Sequence, residues 1–150
     1  MTFMKDVLIP SVIHDLSKLS VALAQGKEKC DRVVFTIPDP KIRKSILDIE
    51  RQSSQYAEEL IDQIRQMGGK YQPTPEISSI SSLGKQVRNI EKEVLQICRR
   101  IERSVIRLYG KMLKDPIVSD KLRNIIRTQM NGIMTSTQHL KLLSKLLYTQ

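Results

Sequence analysis

Apolar residues recur along the chain at intervals of three and four, the spacing that gathers them on one face of an α-helix. Val12, Leu16, Leu19, Leu23, Cys30 and Val34 form the first such stripe. Pro10 stands just ahead of it and lacks the amide hydrogen a helix interior needs, so a regular helix is predicted over roughly 11–35. In TIPDPKIRK, Asp39 can cap new backbone amides and Pro40 suits a first helical position. The stripe Ile42, Ile46, Ile49, Ser53, Tyr56, Leu60 and Met67 then predicts a second helix over roughly 39–67, which Gly68-Gly69 can close in a left-handed turn. Val87, Ile90, Val94, Ile97, Ile101, Val105, Leu108 and Met112 mark a third helix, roughly 85–114. Asp115-Pro116 repeats the starting device, with Ser119 as a slightly later cap. Leu122, Ile126, Gln129, Ile133, Ser136, Leu140, Leu143 and Leu147 carry a fourth helix, roughly 117–147.

The connections are unequal, and their lengths predict topology. Helices one and two, and helices three and four, are joined by short turns. The stretch GGKYQPTPEISSISSLG, from Gly68 to Gly84, is a long linker rich in serine, glycine and proline. A helix of about 28 residues is roughly 42 Å long, and about 17 extended residues reach roughly 56 Å, enough to return along the whole bundle. A plain up-down bundle needs only about 2–8 residues there. The pattern therefore predicts one all-α domain over residues 1–150: two antiparallel hairpins joined by a long crossover between helices 2 and 3, the ferritin-like form of the four-helix bundle.

Composition agrees with one aliphatic helical core: 150 residues, 4% aromatic, no tryptophan. No apolar run approaches the roughly 18 residues of a membrane span, and MTFMKDVLIPSVIHDL offers no cleavage site of a secretory signal. Cys30 and Cys98 lie on different predicted helices without metal-ligand spacing, and read as buried reduced thiols of a cytosolic protein. Charge changes the picture more. Residues 1–84 hold 11 Lys/Arg and 11 Asp/Glu, whereas residues 85–150 hold 14 and 5, so the whole net charge of +9 sits in the second half. Such an asymmetry permits binding to an acidic protein, a nucleic acid or an anionic surface.

The run DPKIRKSILDIERQSSQYAEELIDQIRQMGG, Asp39 to Gly69, resembles the second helix of an uncharacterised bacterial family of ferritin-like bundles, a domain of unknown function related to rubrerythrins and ferritins. ICRRIERSVIRLYGKML, Ile97 to Leu113, resembles its third helix, with Glu102 and Tyr109 at matching places; KLRNIIRTQMNGIMTSTQHLKLL resembles its fourth. The resemblance implies a carboxylate bundle whose members hold two metal ions between one Glu on each of two helices and Glu-x-x-His on the other two. The candidates it implies are Asp31, Glu50 and Glu102. Asp31 replaces the family's glutamate and Cys30 the tyrosine before it. Ser53 stands where Glu50 would require histidine, and Thr137 is nearest the family's downstream histidine, with His139 about 200° away around the helix. The expected outcome is no functional dinuclear site and no cofactor. Glu102 and Asp31 would then make ordinary polar contacts, Glu102 to Arg99 or Arg103 one turn away. Ser53, Gln129 and Ser136 mark a polar cavity as another reading.

Arg99, Arg103, Arg107 and Lys111 recur at every fourth position and form a basic stripe on helix three. The reading adopted for it is a solvated face complementing Glu58, Glu59 and Asp62 of helix two. The alternative is contact with an anionic partner, including nucleic acid, for which Tyr109 and Tyr148 are the available stacking aromatics. STQHLKLLSK resembles the His-x-Leu-Lys-Gly-x-Ser pattern of phosphotransfer bundles, with Leu142 where that pattern has glycine. No phosphate loop, Ser/His/Asp set or Cys/His pair is present, which argues against an enzyme. The sequence thus predicts a non-catalytic binding or structural module, stress-related by analogy with ferritin-like proteins, and a homodimer formed through exposed apolar positions such as Ile106. The rival readings are an iron- or manganese-binding carboxylate bundle and an anion-binding module using the helix-three stripe.

Overall fold

The computed structural model describes residues 2–73 and 89–148. It is all-helical, with helices α1 (Thr2–Val34), α2 (Pro40–Gln66), α3 (Ile90–Ile101), α4 (Arg107–Lys114) and α5 (Asp120–Tyr148), and a π-helical turn, Glu102–Ile106, between α3 and α4. The backbone at Ile101, Glu102, Ile106 and Arg107 is right-handed helical, so α3, the π turn and α4 form one continuous rod. Four rods pack together: α1 against α2, α2 against α5, α5 against the α3–α4 rod, and that rod against α1. Among the described residues α2 and the α3–α4 rod have no Cα atoms within 8 Å of each other; they lie across a diagonal and meet only through side chains lining the interior. The core between them is aliphatic, centred on Leu16, Leu19 and Leu23, on Ile42, Ile46, Leu60 and Ile64, and on Val94, Ile126, Ile133 and Leu140.

Local chemistry sets α2 closely. Asp39 Oδ1 accepts from the amides of Lys41 at 2.9 Å and Ile42 at 3.0 Å, and Pro40 fills the first turn. Gly68, at φ 79°, ends the helix: its amide donates to Arg65 O and that of Gly69 to Ile64 O, a Schellman closure that a side chain at residue 68 would strain. The chain then returns along α1, where the amide of Gln72 donates to buried Ser17 Oγ at 3.0 Å. The remainder of the expected linker, residues 74–84, and the expected start of helix three, residues 85–88, lie outside the described residues.

Four expectations need correction. Helix one does not start after Pro10, because α1 runs through it from Thr2. Pro10 faces solvent, where the carbonyl it leaves unpaired one turn back can meet water, while Ile9, Val12 and Ile13 pin the opposite side to the core. Helix four starts at Asp120, not at Asp115-Pro116. Asp115 instead caps a turn through the amide of Ile117, Val118 is buried, and Ser119 Oγ accepts from the amide of Leu122 at 3.2 Å. In helix three, Leu108 gives way to Tyr109 as the fully buried residue, because the π turn spends one residue more than an α turn and rotates everything after it. Ile106 is not an exposed apolar contact point; it is half-buried and packs on the core. Among the described residues the most exposed large apolar side chains are Phe35 at the α1–α2 turn and Leu142 and Leu146 near the end of α5. No helix of the described residues is long and apolar enough to cross a membrane. Cys30 and Cys98 are both free and buried, as expected.

Candidate functional site

The helical phase of α2 turns Glu50 inward beside Ile46, Ile49 and Ser53, and only 6% of it remains exposed. Its Oε1 has no hydrogen-bond partner. Burial raises its carboxyl from the ordinary 4.5 to about 8; a hydrogen bond and the charge of Asp31 push the same way, and Lys27 opposes them. The carboxyl lines a small cavity of about 10 Å³ together with Gly26 and Cys30 of α1, Ser53 of α2, Ile101 and Val105 of the rod, and Ile133 of α5. That is room for about one water. A second hollow of about 30 Å³ adjoins it through Ala22, Gly26, Ile101 and Val105, and opens past Gln25, Arg100 and Ser104. Arg100 lines this second hollow and donates through Nη2 to Cys30 Sγ at 3.7 Å. Burial pushes the Cys30 thiol up to about 11 against the pull of Arg100, so it is held as a thiol rather than a nucleophilic thiolate.

The three candidate ligands do not converge. Asp31 is exposed on α1 beside Glu50, whereas Glu102 is exposed on the rod and paired with Lys141 of α5. The expected partners of Glu102 were Arg99 or Arg103; the edge it occupies faces α5, and the lysine there takes it instead. Among the described residues no group of three or more His, Cys, Asp or Glu is placed to hold a metal ion. Thr137, nearest the family's histidine position, is buried and donates to Ile133 O at 2.7 Å, while its carbonyl accepts from Cys98 Sγ at 3.9 Å. His139 and Leu142 are exposed on α5, and His14 is exposed on α1.

The polar seam residues are divided between two places. Gln129 and Ser136 line neither hollow; they belong to a hydrogen-bonded layer joining α2, α4 and α5. Tyr109 Oη donates to Gln129 Oε1 at 2.9 Å, and Gln129 Nε2 donates to Glu59 Oε2 at 2.9 Å and to Tyr56 O at 3.3 Å. Ser136 Oγ donates to Gln52 Oε1 at 2.9 Å, and Gln52 Nε2 donates to Tyr56 Oη at 3.2 Å. Gly132 leaves the space that Tyr56 uses: a Cβ there would collide with Tyr56 Oη and stand 2.9 Å from Gln52 Nε2. Ser53 alone of the three faces the Glu50 cavity. Tyr109 is fully buried, which removes it as a stacking platform, and Tyr148 is not described at the side-chain level. Sequence reading placed Tyr56 on the inward face of helix two without its hydrogen-bonding role, and missed Gln52 and Gly132 as parts of this layer; Gly132, in mid-helix where glycine costs about 1 kcal/mol against alanine, was the available signal.

Arg99, Arg103, Arg107 and Lys111 are all exposed on the α3–α4 rod. Among the described residues none of them forms an ion pair. The acids expected to complement them are across the diagonal on α2, where Glu59 is bonded to Gln129 and Asp62 to Arg65. The rod therefore presents its cations to solvent unneutralised by its own fold.

No protein-family model matches the sequence, and no curated protein or solved structure matches it significantly.

Proposed function

We propose that this chain is a non-catalytic ferritin-like bundle, antiparallel with a long crossover, that works as a binding module and has no working dinuclear metal centre. The topology is supported by which residues meet. Residue numbers rise on one helix as they fall on its neighbour for α2 and α5, Glu59 with Gln129 and Gln52 with Ser136, and for the rod and α5, Tyr109 with Gln129 and Cys98 with Thr137; α1 and α2 meet at Ser20 and Ala57 and are joined by the short turn at residues 35–39. A return of the chain from the end of α2 along α1, begun at Gly68–Gln72, fits a crossover.

One observation carries the reading against metal chemistry: the acids do not share a centre. Glu50 has Asp31 for company, Glu102 is neutralised by Lys141, and the two histidine positions hold Ser53 and Thr137. A hard dinuclear site requires several anionic oxygens and imidazoles around one point. Elemental analysis of protein purified without chelator tests this. The expected result is iron and manganese well below one ion per chain; stoichiometric metal that disappears in Glu50→Ala or Glu102→Ala would overturn it. Sedimentation tests the homodimer belonging to this reading, for which Leu142, Leu146 and Leu147 near the end of α5 are exposed apolar side chains.

A further inference from the structure

We infer that the outward face of the α3–α4 rod is a docking surface for the phosphodiester backbone of a double-stranded nucleic acid. The inference rests on the binding-module reading and supplies its partner. Arg99, Arg103, Arg107 and Lys111 lie over 13 residues, a rise of about 18 Å of helix, the length of about five phosphates along one strand of a duplex. In an uninterrupted α-helix a four-residue step drifts by about 40°, so four cations so spaced would wind around the rod. The π turn at Glu102–Ile106 interrupts that drift within the series, because a turn closed five residues on rotates less per residue. All four side chains are exposed and none of them is in an ion pair among the described residues.

The same face decides against other partners. Protein interfaces are anchored by aromatic and aliphatic residues in a desolvated centre, and no large apolar side chain between Ile90 and Lys114 is exposed. A membrane surface helix needs an apolar side to bury in lipid, and the apolar side of this rod is already packed into the bundle. Single-strand binders add aromatic platforms, whereas Tyr109 lies inside the core. What is left is a row of cations, three of them arginines whose planar forks match phosphate oxygens, with no group arranged to read base edges. Such a surface binds duplexes without regard to sequence.

Fluorescence anisotropy with a labelled duplex decides the matter, using separate DNA and RNA arms to distinguish the two sources of the same backbone. Four phosphate contacts give a slope of about −3.6 in log affinity against log salt, so binding to at least one duplex is expected to weaken about 100-fold between roughly 50 and 200 mM salt. Arg103→Glu/Arg107→Glu, at exposed positions, is expected to reduce that slope by at least half while circular dichroism stays unchanged. Lys41→Glu/Lys44→Glu makes the same change in net charge on exposed positions of α2 and is expected to keep the slope. No duplex binding at low salt, equal losses in the two double variants, or tighter binding to the single strand, to polyglutamate or to phosphatidylserine vesicles would each overturn the inference. Metal content is read separately: stoichiometric iron would sink the module reading without touching duplex binding, and absent duplex binding would leave that reading standing.

Discussion

Helix α2 buries polar side chains on two sides, and the sides are finished differently. Toward α5 it offers Gln52, Tyr56 and Glu59, which join Gln129, Ser136 and Tyr109 in a layer where the named groups are hydrogen-bonded. Toward α1 it offers Glu50, which is buried where Gln52, Tyr56 and Glu59 are half-buried, and which has one oxygen unpartnered. The first arrangement stabilises and fixes helix register, since each group recovers in the interior what it gave up in water. The second is tolerable chiefly because the carboxyl keeps its proton. A polar residue in a bundle seam therefore says little about function until its partners are counted.

The largest way to break this contrast is Tyr109→Ala. It empties a fully buried aromatic site and strips Gln129 of its donor, for an expected loss of about 3–5 kcal/mol in urea or guanidinium unfolding; Tyr109→Phe, which removes only the hydroxyl, is expected to lose about 1–2 kcal/mol. Glu50→Gln is expected to act in the opposite direction. The unfolded chain releases this proton near 4.5 and the folded chain near 8, so in that window the folded state binds more protons and rising pH favours unfolding. The glutamine variant removes that slope. It is expected to be more stable than the parent by about 1–3 kcal/mol at high pH, with the gain shrinking toward low pH. A loss of stability at both ends would mean that the carboxylate has a partner and that the contrast is false. The smallest test compares two serines. Ser136→Ala is expected to cost about 0.5–1 kcal/mol by leaving Gln52 short of a donor, whereas Ser53→Ala on the cavity side is expected to stay within about 0.5 kcal/mol.

What could be read from the sequence follows the range of the interaction concerned. The cap at Asp39, the proline after it and the glycine stop at Gly68 act within a few residues, and they fall where their chemistry requires. The inward face of α2 and most of that of α5 were legible for the same reason, as was the burial of Cys30 and Cys98; toward the end of α5 the expected face was wrong, since Leu147 is exposed and Thr137 and Ser144 are the buried residues. Pro10 was misread because its cost depends on which way the unpaired carbonyl faces, a property of packing. Asp115 and Ser119 are both competent caps, and the burial of Val118 between them decides. Leu108 and Tyr109 are adjacent apolar residues, so periodicity alone could not say which one a π turn would bring inward. At the site, the inward phase of Glu50 was legible, but the separation of Glu102 from it was not. Neither was the diagonal that divides the acids of α2 from the arginines of the rod, since spacing along one helix carries no information about which helices become neighbours.

The π turn also describes the rod as a length of chain. Measured from Ile101 to Tyr109, both facing the core, the rod holds one residue more than an α-helix needs to bring those side chains into line. It behaves as a helix with an insertion that was absorbed rather than passed on. The surplus is taken up at Glu102–Ile106, where most side chains face outward, and beyond it Tyr109 and Met112 face the core. The exposed surface of the rod can thus differ in length from its buried surface, which leaves the charged side free to vary while the core keeps its alignment.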